Sequence, residues 1–294
     1  MKFNKIYIIS WFGNGNNLEK RIRYHDNQLD WCHKNKLEPV IFAQNYKDEY
    51  YRSNVTYIKY NGQVLRFGEA RDQLLKIFYQ TDDDFAIFAD NDAFLYEGSK
   101  YGDNDRFVQM MQEMDINQFD HVDCFYPINP AFVPFTKDLK KHKISDQTSW
   151  RMRPGYVAAQ FFVLKNLKKF YNKEFYYDSN FVLPDRSILP AEDQEFAVNL
   201  IHNGYTSFAC PNLIKKDQGL HNSDSTWSNH DREVWRQKCI QGLTYIAKKY
   251  DLPIPNHNSS NQQWIKKMMV RNNKFRHTKV YFKPNTFNNL FTIE

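Results

Sequence analysis

Short apolar runs separated by helix-like segments fill the first third of the 294-residue chain. Ile6–Ile9, Pro39–Ala43 and Phe85–Ala89 each have the length and hydrophobicity of a buried strand. Between these runs, apolar residues recur at helical spacing over residues 18–32 and about 68–80. Strands that alternate with helices predict an α/β fold with a mainly parallel central sheet between two layers of helices.

The second half of the chain is less regular, but it carries the same two kinds of pattern. Apolar runs predict strands at His121–Tyr126, Val157–Leu164 and Tyr205–Ala209. Helical spacing predicts helices over Glu192–His202 and Asp231–Tyr250. We find no internal repeat and no clear linker, which favours one domain over two.

Charge is distributed unevenly along a chain that has 40 Lys and Arg against 34 Asp and Glu. From Leu252 to Thr292 there are seven basic residues and no acidic one, so the rest of the chain is nearly balanced. We therefore predict a catalytic domain of residues 1–251, with halves at 1–125 and 126–251, followed by a basic extension at 252–294. Such a segment is either a solvated surface or a contact for phosphate or anionic lipid.

Other sequence features exclude several classes of protein. No apolar stretch approaches the roughly 20 residues of a membrane span, and the amino terminus lacks the pattern of a signal peptide. The four cysteines are far apart, which argues against a cysteine-based zinc or redox site. We therefore expect a soluble cytoplasmic protein without a transmembrane segment, in the infected host cytoplasm if a phage encodes it.

One acidic triplet stands out as a candidate site. Of three D-x-D triplets, only Asp90-Asn91-Asp92 directly follows a predicted buried strand. Open α/β sheets bind ligands at the carboxyl ends of their strands. Two carboxylates on one turn suit a hard divalent cation and leave room for phosphate oxygens. The sequence therefore predicts a metal and phosphate site here, with a simple solvated turn as the alternative.

The block from Gly68 to Asp92 resembles nucleotide-sugar glycosyltransferases of the GT-A fold, a Rossmann-related three-layer α/β/α architecture. Ala70-Arg71 near a helix start, then a strand, then D-x-D, follows the order of that family, although Asp72 stands where Asn is usual. The resemblance covers about residues 1–225. It implies a metal-dependent transferase whose donor is a nucleotide-sugar, UDP-linked in the first instance.

The resemblance also implies catalytic and metal-binding roles. Glu192 and Asp193 resemble an acidic pair beside the acceptor, where Asp193 would be the general base of an inverting displacement or would position the acceptor in a retaining one. The alternative is that both only stabilise the first turn of a helix. Asp92, Asp90 and His221 would hold Mn²⁺ or Mg²⁺, unless His221 is a loop histidine without a ligand role.

The donor-binding residues implied by the resemblance follow the predicted strands Ile6–Ile9 and Phe85–Ala89, or lie at the start of the second helix and at Gln160. Trp11 would stack on the base or belong to the core, and Arg71 would bind the pyrophosphate or pair with an aspartate of the D-x-D turn. Gln44 stands where the family often has an acidic residue that reads uracil. The complete predicted donor set is Ser10, Trp11, Arg71, Asp90, Asn91 and Gln160.

More narrowly, the start of the chain and its Asn/Lys/Phe/Tyr bias resemble T-even-like phage glycosyltransferases. Those enzymes attach glucose or arabinose to 5-hydroxymethylcytosine in DNA, so the resemblance implies a DNA acceptor. Cations interleaved with aromatic residues suit such a partner. The alternatives are a bacterial surface-glycan transferase and a non-catalytic DNA-binding protein on a transferase fold. The predicted DNA-binding residues are Lys140, Lys141, Lys143, Arg151, Arg153, Lys266, Lys267, Arg271, Lys274 and Arg276.

Overall fold

A computed structural model describes most of the amino-terminal third of the chain and parts of the remainder. The described residues are 4–12, 18–95, 120–125, 150–154, 161–181, 191–205, 207–217, 232–251, 280–282 and 291–293. The strands within these stretches join one mixed sheet. The predicted helix near residues 106–114 lies outside the described residues.

The amino-terminal half forms the parallel part of the sheet. Its strands are β1 (Lys5–Ser10), β2 (Glu38–Gln44), β3 (Thr56–Tyr60) and β4 (Phe85–Asp90), in the spatial order β3-β2-β1-β4. Each neighbouring pair is parallel. β1, β2 and β4 are almost completely buried, which is why their sequences are continuous apolar runs. The edge strand β3 is only half-buried and gives the weaker sequence pattern.

The second half of the chain extends the sheet on the side of β4 opposite to β1. Its strands are β5 (Ala93–Leu95), β6 (His121–Phe125), β7 (Trp150–Pro154), β8 (Phe161–Lys165) and β9 (Ser207–Asp217). β8 is antiparallel to β4 and β6, whereas β6 and β9 are parallel to each other. β5 and β7 both pair antiparallel with β9.

Two parts of this half differ from the sequence expectation. β9 has eleven residues where Tyr205–Ala209 predicts a short strand, because its distal part gains β5 as a partner. β7 carries the sequence Trp-Arg-Met-Arg-Pro and has no apolar run. Its strand conformation depends on pairing with neighbours that are distant in sequence, and this is the context that dominates β-propensity.

Two short strands of the basic extension belong to the same sheet. β10 (Val280–Phe282) pairs antiparallel with β7, and β11 (Phe291–Ile293) pairs antiparallel with β10. The backbone of the extension therefore meets the sheet at the strand that contains Arg151 and Arg153.

Helices cover both faces of the sheet. They are α1 (Leu18–Lys34), α2 (Phe67–Phe78), α3 (Leu167–Tyr171), α4 (Glu192–His202) and α5 (Arg232–Lys249). The predicted bounds of α4 are those observed, and α1, α2 and α5 agree within a few residues. Among the helices that the structure describes, none combines the length and hydrophobicity needed to cross a bilayer.

Alternate residues of β1 face two separate hydrophobic clusters. Ile6 and Ile8 pack in a cluster with α1, whereas Tyr7 and Ile9 pack in a cluster with α2, α4 and α5. The period of two along a strand divides side chains between the faces in this way. The α/β fold is therefore confirmed, with the parallel strands β3-β2-β1-β4 between helices and a mixed extension of the sheet beyond β4.

A buried ion pair lies at the end of β8. The Lys165 ammonium is completely buried, 3.3 Å from Asp120 Oδ1 and 2.8 Å from the Tyr171 hydroxyl oxygen. The Tyr171 hydroxyl in turn donates to Asp120 Oδ1 at 3.0 Å. Because a buried charge is costly unless it is paired, each partner of this triangle depends on the others.

We predict that Asp120→Ala lowers the free energy of unfolding by about 3–5 kcal/mol, because it leaves the Lys165 charge buried without its carboxylate. Urea denaturation measures the loss. The double variant Asp120→Leu/Lys165→Met removes both charges and should regain most of the stability. The exposed Glu38→Ala serves as the surface control, with an expected change within about 0.5 kcal/mol. A double variant as unstable as Asp120→Ala would contradict the explanation.

Candidate functional site

The D-x-D turn lies where the central parallel strands end. β4 ends at Asp90, which is the register partner of Ile9 in β1. Asn91 Nδ2 donates a hydrogen bond to Ser10 Oγ at 3.0 Å, so residues from two strands meet at this edge. Trp11 follows Ser10 and leaves 44% of its surface exposed. Four of the predicted donor-binding residues are thus brought together at the position that open α/β sheets use for ligands.

A glutamine on α1 holds the D-x-D turn through two hydrogen bonds to its backbone. Gln28 is fully buried, and its Nε2 donates to the backbone carbonyls of Asp90 at 2.7 Å and Ala93 at 2.5 Å. Both ends of the turn are therefore held by one side chain. Sequence reasoning missed this residue, yet a signal exists. With His25, Leu29 and Cys32, Gln28 occupies the buried stripe of the helix, where a polar residue needs a partner.

The region behind Ser10 is aromatic. The Ser10 hydroxyl makes a very short hydrogen bond with the Tyr46 hydroxyl, and the Tyr46 ring stacks on Phe12 at 4.6 Å between centroids. Burial raises the pKa of Tyr46 far above its usual value, so its phenol stays neutral. Gln44 is nearly buried and its Oε1 accepts from the Leu65 backbone N–H at 2.7 Å. In this structure, Gln44 therefore holds the segment between β3 and α2 in place through the Leu65 N–H.

Arg71 is the electrostatic centre of the site. Its side chain is 1% exposed; Nη2 donates to Asp90 Oδ1 and Nη1 donates to the Tyr177 hydroxyl oxygen, both at 2.9 Å. Nη1 also lies 3.5 Å from Asp193 Oδ1. Burial opposes the charge, but Tyr177, Asp90 and Asp193 together raise the pKa of Arg71 above its usual value. Of the two contacts predicted for Arg71, the structure contains the pair with the D-x-D aspartate.

The acidic pair opens α4 as the sequence predicts, and its two members face different partners. Glu192 Oε1 accepts from the Gly68 backbone N–H at 3.1 Å, at the start of α2. Burial, and next the neighbouring Asp193 carboxylate, raise the pKa of Glu192 to about 8. Asp193 faces Arg71 and leaves 30% of its side chain exposed. The first acid thus anchors one helix to another, while the second lies beside the buried cation.

The packing of Tyr177 against the start of α2 requires a glycine. A Cβ atom at Gly68 would lie 2.9 Å from Tyr177 Cβ, closer than such atoms approach without a shift, and 3.0 Å from Glu192 Oε2 of α4. The small residue near the helix start therefore permits the close approach that brings Arg71 next to Asp193.

The chemistry of the turn fits a hard divalent cation in part. Asp90 and Asp92 offer the carboxylate oxygens that Mg²⁺ and Mn²⁺ prefer, and both residues are half-buried. One oxygen of Asp90 already accepts from Arg71. Within the described stretches, no group of three or more His, Cys, Asp or Glu side chains is arranged for metal binding. Further ligands would have to come from donor phosphates, water or other parts of the chain.

The remaining predicted site residues are not all described. Arg151 and Arg153 lie on β7, between β9 and β10 in the sheet. Those that lie outside the described residues are Lys140, Lys141, Lys143, Gln160, His221, Lys266, Lys267, Arg271, Lys274 and Arg276.

Comparison with known proteins gives similarity at the level of structure. No protein-family model and no curated protein matches the chain. TarS of S. aureus, in complex with UDP-GlcNAc, is 14% identical with a TM-score of 0.48, over 92% of this chain and 71% of that one. GalNAc-T7 with UDP, GalNAc and Mn²⁺ is 10% identical with a TM-score of 0.48, over 91% of this chain and 56% of that one.

A third similar structure is glucosyl-3-phosphoglycerate synthase from Mycobacterium tuberculosis, in complex with Mn²⁺, UDP-glucose and phosphoglyceric acid. It is 10% identical with a TM-score of 0.44, over 85% of this chain and 80% of that one.

We predict that stability falls between pH 5 and pH 8 and that Glu192→Gln reduces this fall. With its pKa raised to about 8, native Glu192 keeps a proton that the unfolded chain loses near its ordinary pKa. The native state therefore binds more protons in this window, and the free energy of unfolding decreases as pH rises. For this half-buried group we expect about 1–2 kcal/mol, less than the full shift.

Urea titrations at pH 5, 6, 7 and 8 measure the effect, with the exposed Glu19→Gln on α1 as the control. Burial also raises the pKa of Asp72, to about 7, so part of the pH dependence should remain in Glu192→Gln. Identical pH profiles for the wild type and Glu192→Gln would contradict the assignment.

Proposed function

We propose that this chain is a metal-dependent glycosyltransferase that uses a nucleotide-sugar donor, UDP-linked in the first instance. The observation that carries the proposal is the bridge made by Arg71. It joins Asp90, where a central parallel strand ends, to Asp193, where α4 begins. Sugar transfer needs a group that holds the donor diphosphate and a group that accepts the proton of the acceptor hydroxyl. Two carboxylates on separate elements around one buried cation suit these two tasks.

Donor binding is assigned to the edge where β1 and β4 end. Ser10 and Asn91 form a hydrogen-bonded pair there, and the exposed Trp11 ring offers a surface for the nucleobase. Asp92 and Asp90 would hold Mn²⁺ or Mg²⁺. Such an ion, when bound, neutralises charge on the departing diphosphate.

Three further residues of the predicted site have narrower roles in the proposal. His221 would complete the metal site, and Gln160 would contact the hydroxyl groups of the donor sugar. Arg71 is buried and acts by holding Asp90 in place, so it does not touch the donor in this arrangement.

Asp193 is the proposed general base. It takes the proton from the acceptor hydroxyl while that oxygen bonds to the anomeric carbon of the sugar. The bond between the anomeric carbon and the diphosphate oxygen breaks, and the nucleoside diphosphate leaves. In a retaining enzyme Asp193 would position the acceptor instead. Glu192 contributes by fixing α4 against α2 through the Gly68 N–H.

We further propose that the acceptor is 5-hydroxymethylcytosine in DNA and that the sugar is glucose or arabinose. The excess positive charge of the chain lies in the basic extension. β10 of this extension pairs with β7, and Tyr281 is the register partner of Arg151. Two basic segments are thus adjacent at one end of the sheet, and phosphate contacts dominate affinity for DNA. A base in a duplex would have to be flipped to reach the site.

We predict that Asp92→Ala reduces the rate of UDP release from UDP-glucose about 100-fold or more in the presence of Mn²⁺ and hydroxymethylated DNA, because a direct metal ligand is lost. A coupled UDP assay measures the rate. Asp82→Ala changes an exposed aspartate in another D-x-D triplet and should leave the rate unchanged. UDP release by Asp92→Ala at the wild-type rate would refute the role of the turn.

The acceptor is tested by mass spectrometry after incubation with a panel of UDP-sugars. We expect a gain of one sugar mass on duplex DNA that contains 5-hydroxymethylcytosine and none on the cytosine duplex. A gain only on an oligosaccharide acceptor would favour a surface-glycan transferase. DNA binding with no donor turnover would favour a non-catalytic DNA-binding protein.

We also predict that charge removal in the basic extension weakens DNA binding about 10-fold or more at 50 mM salt and reduces the salt dependence of that binding. The binding constant is measured by fluorescence anisotropy. UDP-glucose hydrolysis without DNA serves as the internal control and should be unchanged. If the variant and the wild type bound DNA with equal affinity, the extension would not be part of the acceptor site. The variant replaces with Gln the residues Lys266, Lys267, Arg271, Lys274 and Arg276.

A further inference from the structure

Tyr177 lies on the segment between α3 and α4, and it is attached to two helices at once. Its ring is almost fully buried and stacks on Phe196 of α4, with centroids 4.7 Å apart and planes 9° from parallel. Its backbone N–H donates to Asp72 Oδ1 of α2 at 2.8 Å. The ring and the backbone therefore fix the Tyr177 hydroxyl relative to both helices. Tyr177 also packs closely on Gly68 of α2, where an added Cβ would lie 2.9 Å from Tyr177 Cβ.

The hydroxyl of Tyr177 is aimed at the guanidinium of Arg71. Nη1 of Arg71 donates to this oxygen at 2.9 Å, and the same nitrogen lies 3.5 Å from Asp193 Oδ1. On its other side, Nη2 donates to Asp90. The N–H groups of a guanidinium lie in one rigid plane, so an acceptor that fixes one of them also fixes the direction of the others. The Phe67 ring, 3.7 Å from Cζ, supports that plane.

We propose that Tyr177 is a positioning residue which, through Arg71, sets the spacing between Asp90 and Asp193. Without the hydroxyl, the guanidinium loses a neutral acceptor and is free to turn towards one carboxylate at the expense of the other. The donor turn and the general base would then lose their fixed separation. This consequence for catalysis rests on the proposed function, whereas the effect on Arg71 does not.

Asp72 belongs to the same hydrogen-bond network. It stands where the GT-A family that this sequence resembles usually has Asn. A carboxylate oxygen accepts the backbone N–H of Tyr177, and burial is the main reason that the pKa of Asp72 rises to about 7. An amide oxygen can accept the same bond, so Asp72→Asn should keep Tyr177 in place.

The test uses the full chain with Tyr177→Phe, which removes the hydroxyl and keeps the ring. Tyr79→Phe is the matched control, because Tyr79 is also buried and its hydroxyl donates to the Phe175 carbonyl on the same segment, at 3.2 Å. In ¹⁵N-arginine-labelled protein, a held guanidinium rotates slowly and gives separate Nη1 and Nη2 signals. Their absence in Arg71→Lys identifies the Arg71 pair.

We expect separate Arg71 signals in the wild type and in Tyr79→Phe, and merged signals in Tyr177→Phe. We also expect Tyr177→Phe to lower kcat for UDP release about 10–100-fold, with the KM for UDP-glucose changed less than about two-fold, because misplacement of reacting groups acts on the chemical step. Tyr79→Phe should retain the wild-type kcat even where it lowers Tm by a similar amount.

The outcomes separate the two proposals. Unchanged Arg71 signals in Tyr177→Phe overturn the inference whatever the activity, and so does merging of the signals in both variants. If the wild type releases no UDP from any donor but the signals merge only in Tyr177→Phe, the proposed function fails and the control of Arg71 by Tyr177 stands. An unchanged kcat in Tyr177→Phe with merged signals overturns the catalytic part of the inference.

Discussion

A single buried positive charge organises the site. A guanidinium is expensive to remove from water unless several acceptors surround it, so the Arg71 side chain requires its partners to be present together. Those partners come from the end of β4, the start of α4 and the segment that contains Tyr177. The sheet and the helices on one of its faces therefore meet at the Arg71 guanidinium.

The two acids at the start of α4 illustrate how neighbouring residues of similar type acquire different properties. Glu192 is turned towards the first turn of α2, where burial and the neighbouring Asp193 carboxylate favour its protonated form, although the Gly68 N–H opposes this. Asp193 is turned towards a permanent cation. The different surroundings of the two carboxyl groups follow from the directions of two adjacent side chains.

Much of the framework could be predicted from the sequence, because strand and helix periodicities are local. The runs around Ile6–Ile9 and Phe85–Ala89 and the helix that begins at Glu192 need no knowledge of distant contacts. Gln28 and Tyr177 could not be predicted in their roles, since each acts on a partner more than sixty residues away. β7 was missed for the same reason, because its strand conformation comes from its neighbours.

β8 runs antiparallel to β4, and this direction determines where added residues before β8 would lie. Phe161 at the amino end of β8 is the register partner of Ala89, next to Asp90 at the end of β4. The chain therefore enters β8 at the same edge of the sheet at which it leaves β4. An insertion just before β8 would therefore add chain at the edge where Asp90 lies, without lengthening any of the parallel strands.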